Sequence, residues 1–124
     1  MILHSTFPDF IAFLYVHMSH ADNSYDPYEL ATVKSKMTGL FAEGTDVEKK
    51  LYGAIREYNS FDKSKLNELF EASLKHFSVE APLKEGIYTD LNEIIKADGK
   101  VDQSETKTLE TLKKIIDLHS VKNA

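Results

Sequence analysis

Two short acidic stretches hold most of the chemistry available to this chain. Ala21-Asp22-Asn23-Ser24-Tyr25-Asp26-Pro27-Tyr28-Glu29 and Ala97-Asp98-Gly99-Lys100-Val101-Asp102-Gln103-Ser104-Glu105 repeat Ala, Asp, a central apolar residue, Asp and Glu in one register, 76 positions apart. Carboxylate oxygens are the hard donors that Ca²⁺ and Mg²⁺ take. Asp22, Asp26 and Glu29, and Asp98, Asp102 and Glu105, are therefore candidate ligands for one divalent cation per stretch.

The same residue types also start helices. Asp26 and Asp102 fit the N-cap, where a side-chain oxygen accepts an otherwise unpaired backbone N–H. Glu29 and Glu105 then fall at the third helical position, from which a carboxylate reaches back to the cap and meets the positive end of the helix dipole. Tyr25 and Val101 sit where a hydrophobic staple would begin. Asp22 and Asp98 precede the caps by four positions and are left with two readings, an Asx turn or a cation ligand. The stretches resemble an EF-hand loop only at their start. Its sixth position would be Pro27 or Gln103 instead of Gly, and its twelfth Val33 or Leu109 instead of the bidentate Glu, so any cation here is held by another geometry.

Other chemistry is thin. His17 and His20 stand three apart just before Asp22, the outline of a His-His-Asp zinc site. The matching positions of the second copy are Glu93 and Lys96, so the histidines lie outside the repeated pattern and read as surface or half-buried groups. There is no Ser-His-Asp spacing, glycine-rich phosphate loop or HExxH, which predicts a non-catalytic protein. The six tyrosines lack interleaved basic residues and suit core edges or a protein-binding face better than base stacking.

Apolar residues recur at helical spacing throughout, with no strand-like alternation, which predicts an all-α bundle of six helices. The first opens near Thr6 and buries Phe7, Phe10, Ile11, Leu14 and Met18 along one stripe. Asp26-Pro27-Tyr28-Glu29 starts the second, with Leu30, Val33, Met37, Leu40 and Phe41 inward and Gly44 as the left-handed residue after its end. Thr45-Asp46-Val47-Glu48 reads as a capping box for the third, which turns Val47, Leu51, Ile55 and Tyr58 inward. Asp62 caps a fourth, carrying Leu66, Leu69, Phe70, Leu74 and Phe77. A fifth begins around Pro82 and runs through Ile87, Leu91, Ile94 and Ile95; the sixth follows Asp102 with Leu109, Leu112 and Ile116. Helices one and two thus correspond to five and six, and two such hairpins are expected to pack about a pseudo-two-fold axis.

At 124 residues the chain suits a single domain spanning 1–124. Zero cysteines exclude thiolate metal sites and disulfides and leave the cytosol as the expected compartment. No signal-like start and no apolar run of membrane-spanning length are present. A net charge of −5 with a single arginine, Arg56, disfavours nucleic acid, although Lys107, Lys113, Lys114 and Lys122 form a basic C-terminal cluster.

At the paired acidic turns the chain resembles the tellurite-resistance TerB family. The resemblance is carried by Ile94-Ile95-Lys96-Ala97-Asp98-Gly99-Lys100-Val101-Asp102-Gln103-Ser104-Glu105 and, with Asn23 where Gly is usual, by Met18-Ser19-His20-Ala21-Asp22-Asn23-Ser24-Tyr25-Asp26-Pro27-Tyr28-Glu29. It implies an all-helical, internally pseudo-symmetric cytoplasmic stress-response domain without enzymatic activity, in which Asp22, Asp26, Glu29, Asp98, Asp102 and Glu105 are suspected metal ligands. It also implies protein partners of TerD-like calcium-binding or TerC-like membrane type. A related domain accompanies the J-domain of some membrane-tethered co-chaperones. Two other readings stand beside it: a helical interaction module whose carboxylates only cap helices, and a metal-dependent hydrolase using the same acids.

Overall fold

A computed structural model describes residues 4, 6–20, 27–77, 81–97, 99 and 103–119. These residues form six helices and no strand: α1 (Phe7–Ser19), α2 (Pro27–Thr38), α3 (Val47–Ser60), α4 (Leu66–Phe77), α5 (Ala81–Ile95) and α6 (Gln103–His119), with one 3₁₀ turn, Lys63–Lys65, leading into α4. All six expected helices are present, and the all-α class holds.

Helix α1 is the axis of the bundle. It packs against α2, α3, α5 and α6, while α2 also meets α3 and α5, and α6 meets α4 and α5. Enclosure on so many sides explains why its burial extends beyond the expected stripe: Ala12, Phe13, Tyr15 and Val16 are buried along with Phe10, Ile11, Leu14 and Met18. A helix that is apolar all round must lie inside, because any outward face would leave hydrocarbon in water. The helix opens near Thr6 as expected, and Thr6 caps it, accepting the Asp9 backbone N–H at 3.3 Å. The aromatic centre is built on α1, where Phe10 stacks with Phe77 at 5.8 Å and Phe13 meets Phe61 edge-on at 6.0 Å.

Two local expectations are corrected. Helix α2 ends at Thr38, and Gly44, with φ of 90°, lies six residues further on in the connecting turn. The chain leaves the helix where β-branched Thr38 and unconstrained Gly39 weaken it, through turn bonds from Gly39 to Lys36 at 3.2 Å and from Leu40 to Met37 at 2.9 Å. Leu40 and Phe41 therefore pack from the loop, half-buried. For α3 the cap is Asp46, not Thr45: its Oδ1 accepts the Lys49 N–H at 3.0 Å, so the third helical position is Lys49 and the Thr-x-x-Glu box is not used. Asp62 does cap as expected, its Oδ1 accepting the Ser64 N–H at 3.0 Å and the Ser64 hydroxyl at 2.7 Å, one 3₁₀ turn ahead of α4.

Register between the hairpins is set by polar bonds. Tyr15 on α1, 1% exposed, donates its hydroxyl to Asp90 on α5 at 2.7 Å. Lys36, near the end of α2, reaches both Asp90 at 3.4 Å and Glu93. Burial, with Asp90 beside it, holds the Tyr15 hydroxyl protonated well above the usual tyrosine range. The hydrogen bond that Lys36 donates to Glu93 likewise raises the lysine pKa.

Candidate functional site

The acidic stretches meet the bundle at the first turns of α2 and α6. Glu29 is the third residue of α2 and Glu105 the third of α6, and they are 0% and 2% exposed. Burying a carboxylate removes its hydration, so the position must offer compensation. The helix start does so in part, since first-turn N–H groups and the dipole favour negative charge. The remaining four candidates, Asp22, Asp26, Asp98 and Asp102, lie outside the described residues, as do Asn23, Tyr25 and Val101. Among described residues, Gly99 has φ of 78°, the left-handed conformation that glycine adopts without strain, and its N–H bonds the Lys96 carbonyl at 3.0 Å.

Lys36 stands seven residues beyond Glu29, about 10 Å along α2 at 1.5 Å per residue, and there it bonds Glu93, close to the end of α5. The end of α5 leading into the second stretch therefore lies against the far half of α2, away from Glu29. Among the described residues no group of three His, Asp or Glu side chains is close enough to hold a metal ion. Each stretch has three carboxylates, offset in the second by Lys100, and each meets about half a positive charge from the helix start. Two carboxylates with a glutamate are a suitable hard-oxygen donor set for Ca²⁺ or Mg²⁺.

The histidines have other occupations. His17 Nδ1 and the Tyr58 hydroxyl are 2.9 Å apart, and the His17 ring lies 5.0 Å from that of Phe70. Burial chiefly, then His20 and Lys63, pushes His17 down to about 4, so it is neutral at pH 7. His20 packs edge-on against the Tyr58 ring at 5.5 Å. His4 is buried against Phe13 and paired with Glu57.

A cavity of about 590 Å³ opens between the start of α1 and α3. Its charged lining is balanced, with Asp9, Asp46 and Glu57 opposite Lys49, Lys50 and Arg56, and Lys50 already bonds Asp9 at 3.2 Å. The Tyr15–Asp90–Lys36–Glu93 chain and this cavity had no signature in the sequence, because their members come from positions far apart and of ordinary type.

The described residues define a small helical-bundle domain with a buried glutamate at the third position of two of its helices. The family model described as tellurite resistance protein TerB matches residues 9–123, nearly the whole chain, and the chain belongs to that family. Neither a curated protein nor a solved structure gives a significant match. No helix among the described residues is long and apolar enough to cross a membrane.

Proposed function

We propose that this TerB-family chain is a non-catalytic, cytoplasmic stress-response domain whose two acidic bends each hold a divalent cation, Ca²⁺ or Mg²⁺, and present it to protein partners. Asp22, Asp26 and Glu29 would hold one ion, and Asp98, Asp102 and Glu105 the other. The observation that carries this reading is the paired burial of Glu29 and Glu105 at the same helical position, since two hidden carboxylates in one register suggest a common counter-charge.

The internal repeat is part of the same proposal. A two-fold operation exchanging α1 with α5 and α2 with α6 turns the α2–α5 packing into α6–α1 packing, and both contacts exist. At residue level the Lys36–Glu93 bond corresponds, 76 positions on and back, to Leu112 and His17, which line one cleft. Partners of TerD-like or TerC-like type, the latter in the inner membrane, are those the family suggests.

One observation favours the rival module with purely structural carboxylates: Asp46 and Asp62 demonstrably serve as caps in this chain. Titrating metal-free protein with Ca²⁺, Mg²⁺, Mn²⁺ and Zn²⁺, read by calorimetry and melting temperature, separates the two. Stabilisation abolished by Asp22→Asn and Asp98→Asn supports the cation sites; no response at millimolar metal leaves the capping module. Metal-dependent turnover of a phosphoester would contradict the non-catalytic reading.

A further inference from the structure

A second cleft, about 280 Å³, lies where the C-terminal half of α1, the 3₁₀ turn with the start of α4, and the first half of α6 meet. Its polar lining includes Lys63, Lys107, Asn67, Thr108 and His17, and among the described residues it includes no carboxylate. In a chain with twenty acidic against fifteen basic residues, such a lining is a local reversal of the average charge.

Its cations are not neutralised from within. Lys63 donates to the Tyr58 carbonyl and, at 3.1 Å, to the Phe61 carbonyl, and its ammonium rides 4.2 Å above the Tyr58 ring. Those contacts fix the charge in place without cancelling it. The neighbouring carboxylate of Asp62 is directed to Ser64. Lys107 has no ion pair among the described residues, nor do Asn67 and Thr108 make side-chain hydrogen bonds there. His17 is held through Nδ1 by Tyr58, which leaves Nε2 as its other ring nitrogen. Two ammonium groups, one of them already donating to two backbone carbonyls, with an amide and a hydroxyl constitute a donor set for an anion.

We propose that this cleft is an oxyanion site, taking a small dianion of the phosphate type between Lys63 and Lys107, with Asn67 and Thr108 as hydrogen-bond donors. Its volume is just below the roughly 300–1,000 Å³ of pockets for drug-sized ligands, which suits a phosphate group with a few waters. The site uses none of the six bend carboxylates, and its test does not involve metal.

The test is titration of the chain with inorganic phosphate at constant ionic strength, sodium chloride making up the balance, followed by calorimetry and by the His17 ring signals in NMR. Saturable millimolar binding is expected, together with a rise in the His17 pKa, because a dianion nearby stabilises the imidazolium. Lys107 is on the surface of α6, so Lys107→Gln should fold normally and weaken phosphate about threefold to tenfold at low salt. Thr108→Val should weaken it less, and Lys49→Gln, in the other cavity, not at all. A parallel titration with O-phosphoserine distinguishes sources: tighter binding than phosphate assigns the site to a phosphomonoester, weaker binding to the free ion. Equal response to phosphate and chloride, or unchanged affinity in Lys107→Gln, would overturn the proposal.

Discussion

His17 should make the bundle acid-sensitive by an amount that follows from its burial. Its pKa falls from the ordinary 6.5 to about 4 in the folded chain, mainly through desolvation. The unfolded chain therefore binds the proton more readily. The associated stability is fully present above pH 6.5 and is lost as the pH falls toward and through 4. Two to three pH units at 1.36 kcal/mol each correspond to about 3 kcal/mol in all, of which about 2 kcal/mol is lost by pH 5. For a chain of this length 1 kcal/mol moves the melting temperature by about 4 °C, so the drop owed to His17 between pH 7.5 and 5 is about 8 °C. Carboxylates titrate in the same range, and the measurement must therefore be a difference: circular-dichroism melts of wild type and His17→Gln across pH 7.5 to 4.5. Gln keeps a polar group near Tyr58 but cannot titrate, so its melting temperature should fall less steeply. Parallel curves for the two proteins, or an NMR pKa for His17 near 6.5, would refute the burial argument.

At the other end of the pH scale, Tyr15 has its pKa raised by burial and Asp90. It should cost stability as pH rises beyond 10, where the unfolded tyrosine ionises and the folded one does not. Tyr15→Phe should flatten alkaline melts above pH 10 while costing about 1 kcal/mol at neutral pH for the lost bond to Asp90; an unchanged alkaline slope would count against it. The cap of α3 gives a sharper positional check. Asp46→Ala should cost about 1 kcal/mol in urea unfolding and Thr45→Ala close to nothing, and the reverse order would restore the capping box expected from sequence. Asp62→Ala should cost a similar amount, read in the same assay, because the carboxylate accepts both the N–H and the hydroxyl of Ser64.

Much of this fold is legible in the chain, because helix starts and apolar spacing are local signals. Thr6, Pro27 and Asp62 mark helix starts, and the inward residues Val33, Met37, Leu51, Leu69, Leu91 and Leu112 are buried. The end of α2 was obscured because Leu40 and Phe41 continue the apolar pattern past the helix and pack from a turn. For α3, Thr45 and Asp46 are both good caps in adjacent positions, and a one-residue choice between them is decided by backbone geometry. The full enclosure of α1 depends on which helices surround it, although the uninterrupted apolar run Phe10–Val16 is its trace in the sequence. Of the candidate site, the glutamates are read correctly to the third position of their helices. Their burial, and the register of α2 on α5 held by Lys36 with Asp90 and Glu93, depend on long-range packing that nothing local announces.

The proposed function requires Glu29 and Glu105 to belong to two equivalent cation-holding bends. Calcium calorimetry on wild type, Glu29→Gln, Glu105→Gln and the double variant tests it most directly, since Gln can still serve a capping box at that helical position. Two sites in the wild type, one in each single variant and none in the double variant, with metal-free stability altered by no more than about 1 kcal/mol per site, is the result predicted. Undiminished binding in the double variant, or no calcium binding by the wild type, would contradict it.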